Sequence, residues 1–173
     1  MTVILGLDPG LAALGYGLIR TDDGHLSAIA SGALKTKRRP ELGVGRDLAL
    51  RIGELAPAFA DLVEVYRPNA AAIEEFRFYG KAVTSALQVA NVVGMLREAL
   101  RTRGVTTTEY SAREIKHAVA GDGNASKASI QAAVQRHLGL GRIPRPVHAA
   151  DALAAAIAHA VKQPVILEKA GQR

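Results

Sequence analysis

Apolar and polar positions along the chain follow two alternating rhythms. Val3 to Leu7 is an unbroken apolar run closed by Asp8-Pro9-Gly10, which predicts a central strand covered on both faces. Leu14 to Arg20 predicts a second strand, Asp22-Asp23-Gly24 a tight turn and His25 to Lys35 a third strand, together an antiparallel meander. The rhythm then becomes helical. Between Leu42 and Tyr66, residues Leu48, Ile52, Leu55, Phe59, Leu62 and Tyr66 share one stripe, with a kink or break expected at Pro57 and an end at Arg67-Pro68-Asn69. Ala70 to Glu75 is a second short apolar strand that ends in acid.

The second half repeats the alternation. A helix is expected from Ala82 to Arg101, with a small-residue stripe (Ala82, Ala86, Ala90, Gly94) and an apolar one (Val83, Leu87, Val89, Val92, Val93, Leu96). The small stripe lets another backbone approach closely, either the sheet or a second copy of the chain. Val105 to Tyr110 predicts a further strand, and Ser111 caps a short helix holding Arg113, Glu114 and Lys116. Gly121 to Lys127 is a loop opening a helix near Ser129 to Leu138, where helix-start amides and Lys127 could receive a phosphate, or Asn124 or Ser126 could simply cap. After Pro144-Arg145-Pro146 an alanine-rich helix runs to about Lys162, and from Gln163 a polar, frayed tail is expected. The expectation is one α/β domain over residues 1–162 and a C-terminal tail over 163–173.

Composition narrows the function. At 173 residues, nearly half of them apolar, the chain is long enough for one domain with a real core. It has no cysteine, which excludes disulfides and thiolate metal sites and fits a reducing cytosol. No stretch approaches the roughly 20 apolar residues of a membrane span, and no signal-peptide pattern is present, so a cytoplasmic protein is expected. The formal net charge of +6 points to a polyanionic partner, most simply nucleic acid. Lys35 to Pro40 is a basic loop, read first as a solvated segment that could brush a phosphate backbone.

Two apolar strands that each deliver a carboxylate, Asp8 and Glu74, carry the candidate chemistry. An acid at the end of a buried strand needs a cation, a donor or a turn to cap. His148 and Asp151, three apart, project from one face of the first turn of the alanine-rich helix, with nothing local to pair with. Carboxylates converging at close quarters repel unless cations sit between them, and hard oxygen donors without cysteine suit Mg²⁺ or Mn²⁺. Two such ions clamp the attacking and leaving oxygens of a phosphodiester. Three of the chain's seven aromatics, Phe76, Phe78 and Tyr79, fall in four positions, interleaved with Arg77 and followed by Lys81. Aromatic faces beside cations are what unpaired bases stack on, so at least one of Phe76 and Phe78 is expected to stack or wedge rather than pack in the core. A metal-dependent nuclease follows.

The sequence also closely resembles the RuvC-type Holliday junction resolvases of bacteria, members of the RNase H-like superfamily. The resemblance runs through Leu5-Gly6-Leu7-Asp8-Pro9-Gly10, Gly15-Tyr16-Gly17, Ala72-Ile73-Glu74-Glu75, Ile115-Lys116-His117 and Ala149-Ala150-Asp151-Ala152-Leu153-Ala154. It implies an RNase H-like fold, a mixed five-stranded sheet flanked by helices. Asp8, Glu74 and Asp151 would be catalytic metal ligands, with two Mg²⁺ per site and Mn²⁺ able to substitute, and Lys116 and Lys127 would contact DNA near the scissile phosphate. His148 falls where many members carry Asp and some His, so it is a ligand, a proton shuttle or a group behind the ligands. Counting from Glu74 puts Arg77 at the base-stacking position of the family, whereas counting back from Ser85 puts Phe78 there; Phe78 is favoured, since a guanidinium cannot fill the wedge as an apolar plate would. Glu75 is turned to the other face by strand alternation. The resemblance further implies a homodimer joined along the helix Ala82 to Arg101, symmetric nicking of a four-way junction that leaves 5′ phosphates and ligatable ends, and the RuvA–RuvB branch-migration complex as partner. Two other readings share the acids: an RNase H-like nuclease acting on RNA or other DNA, and a non-catalytic nucleic-acid-binding domain. A sugar-kinase-like fold opens similarly, but the chain lacks the second phosphate loop and the length.

Overall fold

The computed structural model describes residues 1–76 and 83–163. Five strands form one sheet in the order β3-β2-β1-β4-β5: β1 (Thr2–Asp8), β2 (Ala13–Asp22), β3 (His25–Lys35), β4 (Ala70–Glu74) and β5 (Thr106–Tyr110). The first three are the antiparallel meander read from the sequence, whereas β4 and β5 join β1 in parallel. The five helices are α1 (Val44–Tyr66), α2 (Val83–Arg101), α3 (Ala112–Ala120), α4 (Lys127–His137) and α5 (Val147–Lys162). Both faces of the sheet are covered, which is why β1 and β4 read as continuous apolar runs. Leu5, Leu7, Ala71 and Ile73 pack with α1 and α2 on one side, while Ile4 and Ala72 pack with α3, α4 and α5 on the other. Strand alternation therefore turns Asp8 and Glu74 toward the α5 side. Parallel pairing, Leu7 opposite Ile73, brings both strands to their acidic ends at the same edge of the sheet.

The closeness of α5 to the sheet is set by missing side chains. A Cβ on Gly6 would stand 1.9 Å from the Ala152 carbonyl oxygen, one on Gly17 2.7 Å from the Leu153 nitrogen, and one on Gly15 2.3 Å from the His148 carbonyl oxygen. Gly6 in β1 meets buried alanines of α5, and Gly15 and Gly17 in β2 meet His148 and Leu153, so the helix lies directly on the strands. At its far end, the buried His159 Nδ1 lies 3.0 Å from the Tyr110 hydroxyl and ties α5 to β5.

Three expectations change. Helix α1 passes through Pro57 as one element of 23 residues. Pro57 lies on the exposed side and so does Gly53, whose carbonyl loses its helical donor, so water can take the place of the missing N–H. The basic loop is anchored rather than freely solvated: Thr36 Oγ1 donates to the Leu11 carbonyl at 2.6 Å, and the Arg39 N–H donates to Asp47 Oδ1 at 2.7 Å. On α2 the two predicted stripes are redistributed. Val92, Val93 and Leu96 are buried, while Val83, Leu87, Ala90 and Gly94 form an exposed face. The expected tail beyond Gln163, Ala82, and the candidates Arg77, Phe78, Tyr79 and Lys81 lie outside the described residues.

Candidate active site

Three elements meet at the sheet edge where β1 and β4 end. Asp8 is the last residue of β1, Glu74 the last of β4, and α5 lays its first turn across them with His148 and Asp151. His148 Nδ1 lies 2.7 Å from Asp8 Oδ2. Asp8, His148 and Asp151 each offer a ligand atom, and the three atoms lie within 4.8 Å of one another. Glu74 is outside that tight trio but lines the same cleft of about 380 Å³, with Lys116 from α3 and Lys127 from the start of α4. The remaining wall is apolar: Ala112, Ile115, Ile130 and Ala154. All four residues expected as ligands, and both expected lysines, are thus brought to one place.

Of the two local readings that the sequence left open at Lys127, the capping one is met. Ser126 caps α4, its Oγ accepting from the Ser129 N–H at 3.1 Å, while the Lys127 ammonium reaches across to Asp151 Oδ2 at 2.9 Å. His148 and Asp151, which have no local partners, are therefore paired over long range. On α3, Ser111 and Glu114 form a reciprocal capping box that fixes the helix carrying Ile115 and Lys116 into the cleft. Phe76 is 41% exposed, so it stands outside the core. The sequence reading missed the apolar lining of the cleft, since Ile115 and Ile130 are spaced like any core residues of amphipathic helices.

The electrostatics are those of a site short of positive charge. Burial pushes the Glu74 carboxyl up to about 7, and the charges of Asp8 and Asp151 add to the shift while Lys127 and Lys116 oppose it. Asp8 is also raised, with burial outweighing the hydrogen bond and charge of His148. Two carboxylates and an imidazole on converging atoms, a third carboxylate with depressed acidity and no sulfur donor make a set that a hard divalent cation fits.

Comparison with known proteins gives the same direction. Residues 4–159 match the family model described as crossover junction endodeoxyribonuclease RuvC. The chain is 41% identical over 162 residues to the crossover junction endodeoxyribonuclease RuvC of Chloroflexus aurantiacus, covering 94% of each. It is 41% identical over 165 residues to that of a Roseiflexus species, covering 95% of this chain and 94% of the relative. Among solved structures, T. thermophilus RuvC in complex with Holliday junction substrate superposes with a TM-score of 0.84 at 31% identity, covering 94% of each chain.

Proposed function

The chain belongs to the RuvC family of crossover junction endodeoxyribonucleases, and on that premise we propose that Asp8, Glu74, His148 and Asp151 are its catalytic, metal-holding residues. The protein is a structure-selective endodeoxyribonuclease that resolves Holliday junctions. The observation that carries the residue assignment is the convergence of Asp8, His148 and Asp151 within 4.8 Å, beside Glu74 and two lysines.

The cation proposed is Mg²⁺, two ions per site, with Mn²⁺ able to substitute. When bound, it supplies positive charge to the phosphodiester oxygens on which negative charge grows. The chain's own groups do the rest. Asp8 accepts from His148 Nδ1–H, which leaves Nε2 with its lone pair free to ligate or to take a proton. Lys116 and Lys127 stand at the cleft wall, where their ammonium groups hold a non-bridging phosphate oxygen and orient the scissile bond. Glu74 takes part as a carboxylate once a cation offsets its burial. Phe76, Arg77, Phe78, Tyr79 and Lys81 are proposed as the DNA-contacting segment, with Phe78 as the base wedge.

A four-way junction with two-fold symmetry asks for two-fold-related sites, and a homodimer supplies them. The exposed face of α2, with Val83 56% and Leu87 59% exposed beside Ala90 and Gly94, is the proposed seam. The RuvA–RuvB motor as partner, a cytoplasmic place of work and a single nuclease domain over 1–162 belong to the same proposal. Among the described residues no helix is long and apolar enough to cross a membrane.

The test is a substrate panel: labelled four-way junction, linear duplex and RNA, each with Mg²⁺, Mn²⁺ or chelator. Paired symmetric nicks in the junction alone, requiring metal, are expected. Asp8→Asn should abolish nicking while junction affinity holds or rises, since a negative charge near the phosphate is gone. Nicking at near wild-type rate by Asp8→Asn removes Asp8 from the site.

A further inference from the structure

The basic stretch from Lys35 is the part of the sequence pattern that the catalytic cleft does not absorb. Strand β3 runs parallel to β1, with β2 between them, so the loop after Lys35 leaves the sheet at the edge where Asp8 sits. Between Lys35 and Glu54 six cations face three carboxylates, a surplus equal to half the formal net charge of +6.

This loop and the first turn of α2 enclose a cleft of about 250 Å³, whose mouth is lined by Arg38, Thr84, Ser85 and Gln88. Its floor is built rather than incidental. Arg51 and Asp47 are 4% and 5% exposed and form an ion pair, Arg51 Nη1 donating to Asp47 Oδ2 at 3.2 Å. Arg51 Nε also donates to Thr36 Oγ1 at 2.7 Å, and the second Asp47 oxygen accepts from the Arg39 N–H. Burying such a pair costs desolvation, and here each partner also bonds the loop, Arg51 at Thr36 and Asp47 at Arg39. The pair also uses up the one carboxylate that lines the cleft among the described residues, as Asp47 is held below the usual carboxylate range by the Arg39 N–H and then by Arg51. Arg39 is committed as well, to Glu54. Arg38 differs: it is exposed and makes no hydrogen bond or ion pair with the described residues. Thr84 and Gln88 each follow by one residue a member of the proposed seam, Val83 and Leu87, so cleft and seam share α2 without sharing side chains.

We propose that this cleft holds the sugar–phosphate backbone of a junction arm as it leaves the active-site edge, with the Arg38 guanidinium and the Thr84 and Ser85 hydroxyls donating to a phosphate. The proposal rests on the junction-resolving reading above. A backbone contact carries no sequence information, so the cleft fixes where the arm lies and adds salt-dependent affinity.

Binding of a labelled four-way junction, measured by fluorescence anisotropy across a salt series in chelator, tests it. Each phosphate contact contributes about 0.9 to the slope of log affinity against log salt. Arg38→Ala should lower the slope by roughly that amount for each cleft occupied, with an unchanged thermal unfolding curve because Arg38 is exposed. Thr84→Glu, which sets a carboxylate at the mouth without removing a cation, should weaken binding. Arg101→Ala removes the same charge at the opposite end of α2, where Arg101 pairs with Glu98, and should leave the slope as in wild type. An unchanged slope for Arg38→Ala, or an equal loss for Arg101→Ala, overturns the cleft while leaving the enzyme a junction resolvase. A wild type that neither prefers nor nicks junctions overturns the functional reading, and the cleft with it.

Discussion

Replacing Glu74 by Gln should make the metal-free protein more stable while destroying its activity. The Glu74 carboxyl titrates at about 7 in the folded chain against an ordinary 4.5, because it is buried beside Asp8 and Asp151. Below pH 4.5 the group is protonated whether the chain is folded or not, and it costs the fold nothing. As pH rises the unfolded chain releases the proton first, and the folded state is penalised progressively until it too ionises, near 7. Each pH unit of that window is worth about 1.4 kcal/mol, so ionised Glu74 destabilises the apo fold by roughly 3 kcal/mol above pH 7. Gln keeps the size and discards the charge. Urea unfolding in chelator should show Glu74→Gln more stable than wild type by about 2–3 kcal/mol at pH 8. At pH 4.5 the two should agree within about 1 kcal/mol. Saturating Mg²⁺ should narrow the pH 8 gap, since a cation bound only by the folded state stabilises wild type more than the variant. A variant no more stable than wild type at pH 8, or one equally favoured at pH 4.5, would refute the claim that burial and the neighbouring acids strain this carboxylate.

Three further outcomes bear on the site. His148→Asp should retain nicking, since an acid can also ligate, whereas His148→Ala should lose about 100-fold at saturating metal; single-turnover nicking decides, and wild-type rates for His148→Ala across the pH range make it only a helix-start residue. Gly6→Ala should lower stability by about 3 kcal/mol and nicking with it, because the new methyl meets the Ala152 carbonyl at 1.9 Å and α5 must lift. A soluble variant with wild-type Tm and rate would show that α5 has slack. Phe78→Ala should slow nicking of an intact junction more than of one with bases already unpaired at the crossover, because unstacking costs a few kcal/mol. Equal losses on both substrates assign Phe78 to packing, and a larger loss for Phe76→Ala moves the wedge there.

The parts of the molecule legible in the sequence are those with a local signature. An apolar run ending in acid marks β1 and β4 because both faces of these strands are covered and only their ends meet solvent. Period-two alternation then places Glu74 in the cleft, while Glu75 follows the end of β4 with its N–H donating to the Tyr110 carbonyl. What no local pattern carries is the partner of each group. The His148–Asp8 contact spans 140 positions, and periodicity says nothing about such a distance. Gly6, Gly15 and Gly17 do their work by lacking a side chain, and the reason lies in α5. Pro57 gave a strong breaker signal that was outweighed because its side of α1 faces water. The Asp47–Arg51 pair did leave a trace. These residues precede Leu55 at intervals of four, which puts two charges on the apolar stripe of α1.

Docking of α5 also sets when the enzyme becomes dangerous. Domains assemble as the chain is made, from the N-terminus onward at about 5–20 residues per second. Asp8 and Glu74 reach the solvent early, but His148 and Asp151 arrive with the last described helix, and so does the layer of buried alanines that closes one face of the sheet. A ribosome stalled before residue 147, or a chain clipped ahead of α5, yields a product with half of the proposed ligand set and an uncovered core. Splitting the proposed ligands between the first strand and the last described helix thus ties assembly of the site to the docking of α5.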